Sequence, residues 1–175
     1  KQYFKHKHVY LTGNPIRLSY PQDDLAEKVI SLPWNTGKNM LVFGGSQGAE
    51  SINTAINNLK KELNHNAINV IHIVGKQYFN THFNQQSPII ESSTASKTTF
   101  VVVDYIENME LLYQWADVVI ARAGATSVAE LIHYQTPAML IPYPYATDNH
   151  QDYNADELVK IGLAKKIMVD QLKTS

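Results

Sequence analysis

The feature that most constrains the fold of this chain is a regular alternation of short apolar runs with longer amphipathic or polar segments. The apolar runs predict strands at residues 38–43, 68–74, 99–103, 117–121, 138–141 and 164–169. The segments between them predict helices at residues 46–63, 77–86, 108–115, 126–133 and 150–161. Strands that are joined through helices by short connections form a mainly parallel sheet covered on both faces. The sequence therefore predicts a doubly wound, Rossmann-like α/β domain.

Composition narrows the class of protein further. The 175 residues are 44% hydrophobic, enough for one sizeable core, and 15 basic against 16 acidic side chains leave a net charge of −1. That balance argues against a nucleic-acid-binding protein, which needs a basic face. The absence of cysteine excludes disulfide scaffolds, thiolate zinc sites and a cysteine nucleophile. No apolar run approaches the roughly 18 residues of a membrane span. The first residues of the sequence include neither a Met nor a signal peptide, so we interpret the chain as the interior of a longer protein.

The chain is predicted to divide into two parts. Residues 1–37 are interpreted as a segment that carries the chain in from a preceding domain, and residues 38–175 as the Rossmann-like domain. Within the first part we expect a strand at 8–11, a turn at 13–15, a helix at 23–32 and a loop at 33–37. The polar, turn-rich stretch 87–97 of the second part is interpreted as a loop. Ligands of such domains bind beyond the carboxyl ends of the strands, so the turns at those ends are the candidate sites.

A glycine-rich turn, Gly-Gly-Ser-Gln-Gly-Ala, follows the first strand of the second part at residues 44–49. Glycines let a ligand approach the backbone closely, and the next helix presents unpaired N–H groups and the positive end of its dipole. The turn suits an anion, although it is neither a Walker P-loop nor a Gly-x-Gly-x-x-Gly motif. The alternative is a tight turn in which Ser46 only caps the helix.

A second turn of small residues spans residues 121–130, from Ala121 to Glu130. Its small side chains could admit a diphosphate, while the Glu130 carboxylate could accept hydrogen bonds from adjacent ribose hydroxyls. The alternative is a capping box, in which Thr126 or Ser127 caps the helix and Glu130 complements the dipole in its first turn.

Two more turns carry polar groups. After the strand at 138–141, prolines stiffen a loop whose polar side chains could bind sugar hydroxyls: Asp148, Asn149, His150, Gln151 and Asn154. Alternatively, Asp148 is an N-cap and the others are solvated. His150 has no second ligand at metal-binding spacing. After the strand at 99–103, the backbone at Ile106 could face a flat base edge, or Ile106 and Met109 could form a hydrophobic staple.

In order and spacing these motifs resemble one family, the MurG family of bacterial peptidoglycan N-acetylglucosaminyltransferases. The resemblance spans about residues 10–165 and corresponds to the C-terminal half of that family. The segments that carry it are Gly-Asn-Pro-Ile-Arg at 13–17, Phe-Gly-Gly-Ser-Gln-Gly-Ala at 43–49, Tyr-Ile-Glu-Asn-Met at 105–109, Arg-Ala-Gly-Ala at 122–125 through Glu-Leu at 130–131, Pro-Ala at 137–138, His-Gln at 150–151 and Asn-Ala at 154–155.

The resemblance implies the C-terminal half of a GT-B glycosyltransferase that binds UDP-N-acetylglucosamine. By motif position, the Ile106 backbone would contact uracil and Glu130 the ribose hydroxyls. The remaining donor-contacting residues implied are Arg17, Ser46, Gln47, Ala125, Thr126, Ser127, Val128 and Ala129 around the diphosphate, and His150, Gln151 and Asn154 around the sugar.

The same resemblance implies a reaction and its partners. The activity is inverting transfer to the 4-hydroxyl of a lipid-linked MurNAc-pentapeptide, with the acceptor, the membrane contact and the catalytic base assigned to an N-terminal domain. This segment alone would then be soluble and would bind donor without turning it over, whereas the whole enzyme would be a peripheral protein at the cytoplasmic face of the bacterial plasma membrane. No tightly bound cofactor and no metal ligand is implied, although a divalent-cation requirement stays open.

Two residues depart from the family pattern, and three alternatives stay open. Ala121 stands where the family commonly has Ser, and Gln135 where it commonly has Gly; a positive φ at Gln135 would cost about 1 kcal/mol. The alternatives are a diacylglycerol glycosyltransferase, a UDP-N-acetylglucosamine 2-epimerase, and a non-catalytic donor-binding subunit of a split transferase.

Overall fold

The fold was analysed in a computed structural model that describes residues 10, 13–17, 23–63, 66–91 and 98–172. The helices are α1 (Asp24–Ile30), α2 (Glu50–Leu63), α3 (Lys76–His82), α4 (Met109–Trp115), α5 (Ala125–Tyr134) and α6 (His150–Lys160), with 3₁₀ turns at Thr147–Asn149 and Val169–Leu172. The strands are β1 (Lys38–Phe43), β2 (Ile68–Ile73), β3 (Ile89–Glu91), β4 (Thr99–Val103), β5 (Val118–Ala121), β6 (Ala138–Leu140) and β7 (Ala164–Lys166). The predicted strand at 8–11 falls outside the described residues except for Tyr10, which lies in no regular element.

The strands form one sheet in the order β3-β4-β2-β1-β5-β6-β7. All neighbouring pairs are parallel except β3 with β4. From β1 the chain builds outward to one side through β2 and β4, and then returns to β5 on the other side. The strand order therefore reverses between β1 and β5, which is where doubly wound sheets bind ligands.

Apolar side chains cover both faces of the sheet. On one face α1, α4, α5 and α6 contribute Val29, Leu112, Leu131 and Leu158 to a core with alternate strand residues. On the other face α2 contributes Ile52 and Ile56, with the last 3₁₀ turn packed beside it. The predicted doubly wound, Rossmann-like architecture is confirmed.

The structure corrects several predicted boundaries. The stretch 87–97 is not all loop, because Ile89–Glu91 pairs antiparallel with β4 and closes that edge of the sheet. The predicted helix at 46–63 begins only at Glu50, since Gly45 and Gly48 have positive φ values of 91° and 76° that interrupt a helix. The last strand ends at Lys166, three residues earlier than predicted.

Residues 23–37 pack against the helices that cover one face of the sheet. Helix α1 lies against α4, and its Ala26 and Val29 are fully buried. The Trp34 ring, just after α1, lies 4.9 Å from that of Trp115 at the end of α4. These contacts give α1 a fixed position beside the loop that precedes α4.

Candidate ligand-binding site

The carboxyl ends of the five central strands lie level with one another. Phe43 at the end of β1 is in register with Ile73 of β2 and Ala121 of β5. Ile73 is in turn level with Val103 of β4, and Ala121 with Leu140 of β6. The turns that follow these strands are therefore gathered along one edge, as the sequence predicts for a doubly wound sheet.

A cavity of about 310 Å³ opens at this edge, beside the point where the strand order reverses. Its volume lies in the range of small-molecule sites. It is lined by Phe43, Gly45, Ser46, Ile73, Tyr105, Ile106, Glu107, Met109, Tyr113, Thr126, Ser127 and Glu130. Five of the predicted site residues, Ser46, Ile106, Thr126, Ser127 and Glu130, are thus brought together.

The glycine-rich turn forms one wall through backbone that only glycine allows. A Cβ on Gly48 would lie 2.1 Å from the carbonyl oxygen of Val74, and one on Gly75 would lie 2.7 Å from that of Gln47. The turns after β1 and β2 therefore pack backbone to backbone. Because α2 begins at Glu50, Ser46 lies within the turn and does not cap the helix.

Beneath this wall, two buried polar residues join α2 to β2. The Asn53 amide donates to the carbonyl oxygen of Val74 over 2.9 Å, and its Oδ1 lies 3.0 Å from Nε2 of His72. Burial lowers the pKa of His72 to about 3, and the positive charge of Lys60 adds to that effect. The ring is therefore neutral, with Nε2–H as the donor to Asn53.

The opposite wall is the start of α5. Gly124 is its N-cap, no side chain caps it, and Thr126 and Ser127 are its second and third residues. The alternative interpretation, a capping box, is therefore wrong, because Glu130 lies beyond the first turn of α5 and accepts a 3.0 Å hydrogen bond from the Tyr113 hydroxyl. Glu130 is only 8% exposed. A buried carboxylate thus faces the cavity beside the free N–H groups of a helix start.

The third wall is the loop between β4 and α4. The Ile106 side chain is buried in the core, which holds its backbone at the cavity. In the described part of the chain, neither the N–H nor the C=O of Ile106 hydrogen-bonds to another residue. This backbone edge can therefore pair with a ligand without breaking a protein contact.

The other predicted site residues lie outside the cavity lining. Arg17 pairs with Glu107 at 3.3 Å on the rim, while Gln47 faces a neighbouring depression beside α3. Ala125, Val128 and Ala129 belong to α5 but do not line the cavity. Their contacts with a ligand stay predictions.

The predicted sugar-binding residues of α6 instead form hydrogen bonds with the backbone of the neighbouring turns. The Gln151 side chain accepts from the Tyr143 N–H over 2.9 Å, and the Asn154 amide donates to the Ala123 carbonyl over 3.0 Å. His150 is exposed and lies 2.7 Å from the Thr147 carbonyl through Nδ1. The residue before the helix is Asn149, so Asp148 is not its N-cap.

Two residues at the site were missed or misjudged from the sequence. Tyr113, which orients Glu130, reads in the sequence as an ordinary apolar position of a helix. Arg122 reads in the sequence as a basic side chain that could face a phosphate or pair with an acid. In the structure its guanidinium instead donates to the carbonyl oxygens of Ile141 and Pro142 at 3.0 and 2.9 Å and to the Ser51 hydroxyl at 2.8 Å. Arg122 therefore ties the ends of β5 and β6 to α2.

Neither a metal centre nor a membrane span is found in the described ranges. Those ranges contain no group of three or more His, Asp or Glu side chains that could hold a metal ion. The helices within them are all too short or too polar to cross a bilayer.

The fold, together with the family profile and the structural neighbour that it matches, defines the class of protein: a Rossmann-like α/β domain of the GT-B glycosyltransferase type. More narrowly, the chain belongs to glycosyltransferase family 28, whose C-terminal domain profile matches residues 39–175.

Similar proteins carry a consistent description. The UDP-N-acetylglucosamine–N-acetylmuramyl-(pentapeptide) pyrophosphoryl-undecaprenol N-acetylglucosamine transferase of Halothermothrix orenii is 40% identical over 98% of this chain and 47% of its own length. The protein of that name from Solidesulfovibrio magneticus is 35% identical over 91% and 43%. The crystal structure of Acinetobacter baumannii MurG superposes with a TM-score of 0.65 and 30% identity, covering 79% of this chain and 40% of that one. The chain thus spans about half the length of these relatives.

Proposed function

We propose that this chain is the donor-binding part of an N-acetylglucosaminyltransferase that takes its sugar from UDP-N-acetylglucosamine. The observation that carries the proposal is the cavity at the strand ends, where a glycine turn, a helix start, a free backbone edge and a buried carboxylate meet. Diphosphates, nucleobase edges and ribose hydroxyls require such groups. The names of the relatives support this donor, and they support a muramyl-pentapeptide pyrophosphoryl-undecaprenol as the acceptor.

Each wall has a role in this proposal. The Ile106 backbone pairs with the uracil edge, and Glu130, held by Tyr113, accepts hydrogen bonds from the ribose. Ser46 and the start of α5 face the diphosphate. Arg17 reaches the same anion from the rim once it leaves Glu107, which is an exposed and therefore weak partner.

The N-acetylglucosamine ring extends from this cavity toward α6. Gln151 and Asn154 would then exchange their present backbone partners for sugar hydroxyls, with His150 beside them. Amide side chains offer both a donor and an acceptor, which suits hydroxyl groups.

The proposed reaction is an inverting displacement. The 4-hydroxyl of the acceptor attacks C1 of the sugar, the bond from C1 to the diphosphate oxygen breaks, and UDP leaves with the electron pair. Negative charge grows on the diphosphate, so N–H groups fixed around it stabilise the transition state more than the ground state. No tightly bound metal is part of this proposal.

The acceptor and the base that removes its proton are assigned to a domain outside this sequence. That domain would also make the contact with the lipid, so the whole enzyme would act as a peripheral protein at the cytoplasmic face of the membrane. This chain by itself is then expected to bind donor but not to transfer the sugar.

Calorimetric titration with UDP, UDP-N-acetylglucosamine, UDP-N-acetylgalactosamine and UDP-glucose tests the proposal. We expect UDP and its N-acetylglucosamine conjugate to bind, and Glu130→Ala to weaken UDP binding about tenfold or more, because hydrogen bonds to a charged group are lost. Glu157→Ala is the matched control, since Glu157 is an exposed α6 carboxylate that pairs with Lys160. No binding at millimolar UDP, or a Glu130→Ala variant that changes only in stability, would contradict the assignment.

A further inference from the structure

One carboxylate joins α1 to the loop that forms the third wall of the cavity. Oδ1 of Asp23 accepts the N–H groups of Leu25 and Ala26 at 3.1 Å each, which caps α1. Its Oδ2 accepts the N–H groups of Glu107 and Asn108 at 2.8 and 3.0 Å. A single side chain thus satisfies four backbone donors from two segments 84 residues apart.

The loop is held at both ends and is open in the middle. At its start, the Asp104 N–H donates to the Ser87 hydroxyl over 3.2 Å. At its end, Asp23 holds the two residues that directly follow Ile106. The backbone of Ile106 lies between these anchors, so its direction toward the cavity depends on both of them.

The anchor on the α1 side is rigid. Ala26 and Val29 of α1 are fully buried, and the adjacent Trp34 ring packs on Trp115. Partial burial raises the pKa of Asp23, but the backbone N–H groups of Asn108, Ala26, Glu107 and Leu25 together lower it below its ordinary value. The side chain is therefore an anion at neutral pH, and its charge strengthens the bonds to the loop.

We propose that Asp23 is a positioning residue for nucleobase recognition, holding the Ile106 backbone in the orientation that reads the edge of uracil. This inference rests on the proposed function and adds to it a determinant of base specificity outside the cavity lining. It also makes α1, rather than the sheet alone, part of the base-binding apparatus.

The chemistry of the side chain provides a sharp variant. Only a carboxylate offers two acceptor oxygens, one for each pair of donors. Asn at position 23 keeps one oxygen and remains a good helix N-cap, but it turns an NH₂ group toward the other pair. Asp23→Asn should therefore keep α1 folded but remove the hydrogen bonds from the Glu107 and Asn108 N–H groups that fix the loop.

A matched control is Asp117, which lies at the amino ends of the strands, opposite the cavity. Asp117 also accepts a backbone N–H, that of Asn39 at 2.8 Å, and pairs with Lys38 at 3.1 Å. These contacts, too, lower the pKa of Asp117. Asp117→Asn therefore removes a similar carboxylate at the amino ends of the strands, away from the cavity.

The test compares UDP, CDP and inorganic pyrophosphate by calorimetry, together with hydrogen exchange of the Glu107 and Asn108 amides. UDP and CDP differ only at the base edge, while pyrophosphate has no base. We expect the unchanged chain to prefer UDP. In Asp23→Asn, the Glu107 and Asn108 amides should exchange faster. The affinity for UDP should fall about tenfold, and the preference for UDP over CDP should become smaller. The affinity for pyrophosphate should not change. Asp117→Asn should behave as the unchanged chain.

The possible failures are distinguishable. If the unchanged chain binds neither UDP nor CDP, the proposed function is overturned and this inference with it. If the unchanged chain prefers UDP and Asp23→Asn retains that preference, only the inference is overturned. An equal loss for all three ligands would also overturn it, because a general structural role would weaken every ligand alike.

Discussion

The Tyr113 hydroxyl donates a hydrogen bond to Oε2 of Glu130 over 3.0 Å, and both side chains are buried at the cavity. Tyr113 is itself fixed, because its ring stacks on Tyr134 at 5.3 Å and meets Phe43 edge-on at 6.1 Å. The carboxylate is therefore oriented before any ligand arrives, which lowers the entropic cost of binding.

Tyr113→Phe should weaken binding of UDP more than binding of 2′-deoxy-UDP. The variant removes the donor that orients Glu130, so UDP affinity should fall about three- to tenfold and stability by about 1 kcal/mol. The 2′-deoxy ligand offers Glu130 one hydroxyl fewer, so its affinity should change less. Calorimetry with both ligands checks this, with Tyr134→Phe as the control that removes a hydroxyl from the neighbouring ring. Equal losses for both ligands would count against a ribose role for Glu130.

Gly48→Ala should destabilise the domain far more than Gly162→Ala. The two glycines have nearly the same φ, 76° and 75°, so both variants carry a similar backbone strain of about 1 kcal/mol. Only at Gly48 would the new Cβ meet another backbone, whereas the space around Gly162 is open. Urea unfolding should show a further loss of about 1–3 kcal/mol for Gly48→Ala. Similar losses in the two variants would contradict the backbone contact with Val74.

Gln135→Gly should stabilise the protein. Gln135 ends α5 in the left-handed region, with φ 53° and ψ 33°, where a residue with a Cβ is strained. Relief of this strain should raise the free energy of unfolding by about 0.5–1 kcal/mol and the melting temperature by about 1–4 °C. Gln114→Gly within α4 is the opposite control, since glycine inside a helix costs about 1 kcal/mol. A lower melting temperature for Gln135→Gly would refute this reasoning.

The buried histidine should make stability fall in mild acid. His72 stays neutral in the fold down to a pKa of about 3, whereas the unfolded chain binds a proton below about pH 6.5. The unfolded state thus holds more protons in this window, so stability falls as the pH decreases from 6.5 and is unaffected above it. Between pH 7 and pH 5 the loss from this group is about 2 kcal/mol.

His72→Gln removes that group and provides the comparison. Urea unfolding at pH 7, 6 and 5 should show a steeper decline for the unchanged protein than for the variant. Any cost of the substitution itself is the same at each pH and cancels from the slopes. Parallel declines would mean that His72 becomes protonated in the fold.

The elements that could be predicted from the sequence are those in which a short run of consecutive residues carries a clear apolar or polar pattern. The run at residues 40–43 identifies β1 because a parallel strand covered on both faces is apolar throughout. Strand β3 was missed because it has only three residues and lies at the edge of the sheet, within a polar stretch. The glycine that the resembling family has at position 135 raised a positive φ there only as a condition, and the structure shows that Gln135 does adopt one, with φ 53°.

The residues of the candidate site also fall into two groups, those that could be predicted from the sequence and those that could not. Turns at strand ends are local, so Ser46, Ile106 and Glu130 could be singled out, and the structure brings them together. Their supports are not local. Tyr113 is 17 residues from Glu130 along the chain, and Asp23 is 84 residues from Glu107. Nothing in a single sequence indicates that residues so far apart form a hydrogen bond. A capping box would need Ser127 as the N-cap, with Glu130 as the third helical residue, whereas the N-cap of α5 is Gly124, three residues earlier.

The level strand ends have a consequence for how a ligand acts on the whole molecule. The cavity lining is drawn from residues between positions 43 and 130 and exists only when β1, β2, β4 and β5 are all paired. A chain in which any of these four strands is unpaired therefore lacks the complete cavity, and occupancy of the site by a ligand would oppose opening of this part of the sheet. At a free ligand concentration of one hundred times Kd, this linkage adds about 2.7 kcal/mol to the free energy of unfolding.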